Sequence, residues 1–145
     1  MALELSTFQG HKSKEKRIMK LTLTILPQKY AVCRLDPNGH IPHWALIGDD
    51  FVSLTRTRSE LSIVCLQENV PPETKAERGW RCAKVEGPFD FSVAGVHVSL
   101  AIPLADANIS ILAFATYDTD HLLIQEKDLE RAIRVLEQSG HRIRR

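Results

Sequence analysis

"ATYDTDHLLIQEKDL", residues 115–129, is the stretch on which the fold turns. Ile111, Leu112, Ala113 and Phe114 lead into it as an apolar run, Thr116 to Asp120 are polar, and Leu122, Leu123 and Ile124 are apolar again. A strand that stops for a polar interval and then resumes reads as two strands joined by a tight turn. The same interval also reads as a site, with threonine hydroxyls and a carboxylate lining a place where something binds. Downstream, Asp128 is suited to N-cap a helix with an apolar face of Leu129, Ala132, Ile133 and Leu136. Gly140 suits a left-handed helix end, and "HRI" can return as a last strand. Upstream, Val96, Leu100, Ala101 and Leu104 recur at helical spacing between Gly95 and Asn108, and Pro103 within that run predicts a kink or a late start. With Trp80 to Gly87 alternating as a strand, the order is strand, helix, strand, strand, helix, strand, a ferredoxin-like βαββαβ unit.

The amino-terminal half is poorer in helix. Leu21–Leu26 ("LTLTIL") and Tyr30–Leu35 ("YAVCRL") read as two strands separated by a short turn at Pro27, and "DPNGH" at 36–40 is a strong turn signal. "IPHWALIG" has room for one or two helical turns, Phe51–Leu54 and Leu61–Leu66 read as strands, and a helical turn is expected after Pro72. Placing 51–64 over 111–124, a shift of about 60 positions, puts apolar on apolar residues and Glu60 on Asp120. The expectation is an α+β chain of two tandem ferredoxin-like units, the first degenerate and helix-poor. Residues 1–19 are expected to be a flexible basic tail, 20–79 the degenerate unit and 80–145 the complete one. Units this small should pack against each other or pair through their sheets in a homodimer.

Composition narrows the function classes. A hydrophobic fraction of 43% with 26% charged residues is that of a soluble globular protein, and a formal net charge of +1 gives no general attraction to nucleic acid or anionic membranes. No apolar run approaches the roughly 18 residues that span a bilayer, and the first residues lack the apolar core of a secretory signal. Cys33, Cys65 and Cys82 are widely spaced in apolar stretches, which predicts buried free thiols and no zinc site. There is no G-x-S-x-G, P-loop or H-E-x-x-H pattern, so no catalytic residue, metal or cofactor is assigned. His40 and His43 flank "IP" without a third ligand nearby and read as structural.

The segment "IPLADANISILAFATYDTDHLLIQEKDLERAIRVLEQSG" resembles the tandem ACT-domain proteins related to the CASTOR arginine sensors and, more distantly, the regulatory domains of aspartate kinases. Gly95 leading the first helix, "PLA" at 103–105, "NIS-I" at 108–111 and the "TYDTD" turn carry the likeness. "TRTRSELSIVC" at 55–65 resembles the signature of the family's first unit. The resemblance implies a cytoplasmic, non-catalytic regulatory module that senses a small effector, usually an amino acid, and signals to a protein partner. In relatives the effector lies between the loop before the first helix and the turn after the second strand. Carried over, these positions are Ser92, Val93, Gly95 and Val96 on the loop, and Thr116, Thr119 and Asp120 on the turn. Asp120 is the expected anchor for the ligand's cationic end, and His97 stands where a second acidic group would suit a cationic ligand.

The residues support such a site on physical grounds as well. Helix-start N–H groups can take a ligand carboxylate, glycine permits close backbone approach, and aspartate can take an ammonium through charge-assisted bonds. The competing reading is that Asp118 and Asp120 cap a tight turn while Thr116 and Thr119 satisfy strand ends. An alternative from another class is a protein–protein interaction module with a vestigial pocket.

Overall fold

A computed structural model describes residues 19–86 and 95–145. The expectations for the tail before residue 19, and for Ser92 and Val93, lie outside the described residues. The fold is α+β and contains two tandem ferredoxin-like units in one mixed sheet. β1 (Thr22–Leu35), β2 (Ser53–Arg56), β3 (Leu61–Leu66) and the start of β4 (Ala76–Val85) build the first unit. The remainder of β4, α1 (Val96–Asp106), β5 (Ile111–Ala115), β6 (Asp120–Gln125), α2 (Leu129–Gln138) and β7 (Arg142–Arg144) build the second. Where the second unit has helices, the first has only 3-10 turns, at His43–Leu46 and Gln67–Asn69. The second of these precedes Pro71, so the helical turn expected after Pro72 falls a few residues earlier.

The two strands expected at 21–26 and 30–35 are one strand of 14 residues. Pro27 cannot donate to a ladder, yet the strand does not break there. β1 pairs with β4 as Ile25↔Ala83 and then Lys29↔Arg81, so Leu26 to Gln28 bulge out against the single residue Cys82. A bulge is where a sheet tolerates proline. A second irregularity follows between Tyr30 and Val32, beside Gly79, which has φ +82°. The β1/β4 ribbon is common to both units: its Tyr30–Leu35 half pairs with β3, and its Thr22–Thr24 end pairs in parallel with β7. The strand order is β2-β3-β1-β4-β6-β5, with β7 on β1.

Alternation along these strands separates three apolar clusters. Leu23, Ile25, Ala83, Val85, Leu122 and Ile124 face α1 and α2 and meet Leu100, Leu104, Ile133 and Leu136. Ala31, Cys33, Leu61, Ile63 and Cys65 face the first 3-10 turn and Ala45. The helix-free face holds Tyr30, Val64, Trp80, Cys82 and Leu123. The sheet curls about that face until the two ends of its path meet, and Phe51, just before β2, packs edge-on against Phe114 of β5. All three cysteines are free and buried, and burial pushes the Cys82 thiol up to about 12. Among the described residues, no helix is long and apolar enough to cross a membrane.

Both helices end as their sequences require. His141 N–H donates to Leu136 O and Gly140 N–H to Glu137 O, with Gly140 at φ +96°. α1 repeats this Schellman pattern with Asn108 in the left-handed position. The helix starts differ from expectation. A 3-10 turn at Glu126–Asp128 runs directly into α2, so Asp128 already has near-helical dihedrals. Its carboxylate bonds Arg131 at 3.2 Å instead of capping the backbone. α1 runs through Pro103, whose missing N–H deprives the Ser99 carbonyl of its helical donor. Buried His141 replaces that donor, with Nε2 2.9 Å from Ser99 O. His141 Nδ1 accepts from Leu21 N–H at 3.1 Å, which fixes the proton on Nε2.

Candidate functional site

The β5–β6 hairpin ends at the pair Ala115↔Asp120. Thr116 closes the turn: its N–H donates to Thr119 O at 2.7 Å, and its hydroxyl exchanges bonds with Thr119 O and N–H at 3.0 and 3.2 Å. The Thr119 hydroxyl donates to Val85 O at the end of β4. Both hydroxyls are therefore engaged in holding the turn, while Tyr117 and Asp118 lie exposed at its tip.

Asp120 differs from its neighbours. Asp120, Leu122 and Ile124 point to the same side of β6, so the carboxylate lies on the helix-bearing side and is buried, at 8% exposure. Its Oδ1 is 3.5 Å from His97 Nε2, on the first turn of α1. Gly95, at φ +95°, is the N-cap residue of that helix, and among the described residues no side chain caps it. The Gly95 carbonyl accepts from Ser99 N–H at 2.9 Å and from Ser99 Oγ at 2.6 Å. Ser99 Oγ in turn accepts from Met19 N–H at 2.7 Å. The start of α1 is thus held from behind by Ser99 and His141.

Of the positions expected from sequence, Gly95, Val96, Thr119 and Asp120 come together at the junction of α1, β4 and β6. Thr116 sits at the turn with its hydroxyl occupied. His121, one residue from Asp120, points to the other side of β6. It stacks on Phe51 at 4.6 Å and 24°, and burial lowers its pKa, aided by Lys84 and partly opposed by Asp120. His97, singled out from the sequence, is at the junction, and His121 is not. The Ser99–His141 support was missed. Its signals were a proline four residues after a serine in a helix, and a histidine directly after a helix-ending glycine.

The arrangement can hold a zwitterion. A buried carboxylate is costly unless paired, and the contact of Asp120 with His97, at 3.5 Å, is longer than a strong hydrogen bond. The uncapped N–H groups of α1 and the positive end of its dipole lie beside it, suited to an anion.

In the first unit the hairpin is built alike. Thr57 N–H donates to Glu60 O at 2.9 Å, and Ser59 and Glu60 N–H donate to the Thr57 hydroxyl at 3.1 and 3.2 Å. The pairs Arg56↔Leu61 and Ala115↔Asp120 set the repeat at 59 positions. The expected match of Glu60 with Asp120 is therefore off by one. Glu60 matches Thr119 and pairs with Arg34 at 3.4 Å, while buried Leu61 occupies the Asp120 position.

Known proteins bear out this architecture. Residues 75–138 match the ACT domain family model, and residues 28–73 match the model of an N-terminal domain family. The chain is 32% identical over 97 residues to the bovine (Bos taurus) cytosolic arginine sensor for mTORC1 subunit 1, a match covering 59% of this chain and 30% of that protein. It thus spans about a third of the length of that relative. A crystal structure from Agrobacterium tumefaciens is 41% identical, with a TM-score of 0.81 over 86% of this chain and 92% of the other. The regulatory subunit of aspartate kinase from Thermus thermophilus shares the fold at 12% identity, with a TM-score of 0.54 over 81% and 96% of the two chains. With an ACT domain as its second unit, the chain belongs to the ACT-domain family related to the cytosolic arginine sensors.

Proposed function

We propose that the second unit binds an amino acid or similar small effector at the α1/β6 junction, without chemical conversion, and that the chain acts as a regulatory sensor. The observation that carries this reading is the buried Asp120 carboxylate beside the uncapped start of α1. The ligand's ammonium would bond Asp120 and its carboxylate the first N–H groups of the helix. The kinship with an arginine sensor supports the effector class. Signalling would follow from a population shift: a ligand bridging helix and hairpin favours one arrangement of the unit, which a protein partner or a second copy in a homodimer reads.

The test is a melting-temperature screen of wild type and Asp120→Asn against the twenty amino acids. A ligand that binds only the native state adds about 2.7 kcal/mol at a hundred times its dissociation constant. Stabilisation by one or two amino acids, abolished in Asp120→Asn, is expected; indifference to all twenty refutes the reading.

A second reading, a protein-interaction module, is favoured by one observation. Ile41, Leu46 and Ile47 are each about half exposed around the first 3-10 turn. A ligand-indifferent chain that loses a specific partner on Leu46→Asp would support it.

A further inference from the structure

We propose that His97 is a built-in occupant of the ligand's cation position on Asp120. The anchor would then open only to molecules whose own cation displaces the imidazole. The inference deepens the functional reading above and rests on its choice of Asp120 as anchor.

Three observations lead to it. First, the two groups are unequally placed. The Asp120 side chain is 11% exposed, whereas that of His97 is 53% exposed, though its Nε2 lies 3.5 Å from Asp120 Oδ1. An exposed side chain reaching back to a buried carboxylate can leave for water at little cost; the carboxylate cannot follow. Second, the other polar groups nearby are committed or face away. The Thr119 hydroxyl bonds Val85 O, the Ser99 hydroxyl bonds Gly95 O, and His121 and Lys84 belong to the other side of the sheet. Among the described residues, His97 is therefore the group that answers the Asp120 charge. Third, the contact is long. At 3.5 Å it is weaker than the charge-assisted bond a ligand ammonium would make, near 2.8 Å.

These facts give His97 the role of a specificity determinant. Exchange of imidazole for ligand is favourable when the incoming group is a compact cation. It is unfavourable for a neutral donor, which would recover no more than the imidazole already supplies. The ligand class is thus one carrying a primary ammonium or a guanidinium, with His97 setting the threshold that weaker donors fail to pass.

Amide NMR spectra of the whole chain, titrated with methylammonium chloride, test this directly. Tetramethylammonium chloride, which has no N–H, serves as control. Wild type is expected to show saturable shifts at Gly95 to His97 and Asp120 with methylammonium only. His97→Ala should bind it about fivefold to tenfold more tightly, His97→Gln should stay near wild type, and Asp120→Asn should show no saturable response. Equal or weaker binding by a folded His97→Ala overturns the proposal, as does the absence of any shift at Asp120 in both proteins. Failure of the functional reading gives a different pattern: methylammonium binds more tightly to His97→Ala, yet none of the twenty amino acids stabilises either protein.

Discussion

The two hairpin junctions share a scaffold and differ in what fills it. In the first unit, Arg56 reaches across to the carbonyls of Pro37 and Gly39, in the loop before the 3-10 turn, and Leu61 fills the buried position beneath. In the second, that buried position holds Asp120, a true helix starts at Val96, and an exposed imidazole, that of His97, reaches across to the carboxylate. One junction is closed by packing and by side-chain-to-backbone bonds. The other keeps a charge that folding alone does not require. The difference teaches that helices and a buried carboxylate occur together in the second unit, while the first has neither at the equivalent places.

The sharpest way to break this comparison is to exchange the two buried residues. Leu61→Asp should cost about 3–5 kcal/mol in urea unfolding, since Arg56, the cation directly opposite, is already committed to the carbonyls of Pro37 and Gly39. Asp120→Leu should be neutral or stabilising while abolishing effector binding, because an apolar residue removes a desolvated charge. If Asp120→Leu instead unfolds the chain, Asp120 is a structural group and the contrast between the junctions collapses.

The next largest effect concerns the support behind α1. His141→Ala leaves Leu21 N–H and Ser99 C=O buried without partners and should lower stability by about 2–4 kcal/mol. Adding Pro103→Ala restores a helical donor to Ser99 O, so the double variant should recover part of the loss. Purely additive denaturation energies would show that His141 does not answer the proline.

His121 sharpens the comparison through pH. Its folded pKa is lowered, chiefly by burial, so the unfolded chain binds its proton first as pH falls. Stability should therefore be unaffected above the unfolded value near 6.5 and decline below it, by at most about 1.4 kcal/mol per pH unit, until the folded group protonates. His121→Phe should flatten that part of the wild-type curve; superimposable curves would place the acid sensitivity elsewhere. Smallest of all, Arg56→Ala should cost under about 1 kcal/mol, because its bonds are exposed.

Elements specified by local signals are legible in the sequence. The apolar–polar–apolar run at 111–124 gave the hairpin, the period of Leu129, Ala132, Ile133 and Leu136 gave α2, and Gly140 gave its end. What depended on a partner strand was not legible. Pro27 breaks a strand read alone, yet a bulge against β4 carries it. The Glu60–Asp120 match was drawn from a linear shift, whereas cross-strand pairing sets the repeat one residue shorter. Asp128 looked like a cap because a 3-10 entry into α2 leaves little trace in composition. For the candidate site, Asp120 stood out as a carboxylate at a strand end. Its link to His97 became visible only once α1 was laid over β6.

The pairing of β7 with β1 has a consequence in time. Leu21 and His141, bonded across this seam, are 120 residues apart in the chain. A contact that distant brings a large loop-closure entropy and belongs to the slow end of folding. A ribosome releases residues in order, so β1 waits, with the edge that β7 will cover unpaired, while the roughly 120 residues between them are made. The first unit can assemble around the Tyr30–Leu35 half in that interval. The second unit would become competent after the first, and its edge would be the part more in need of protection during synthesis.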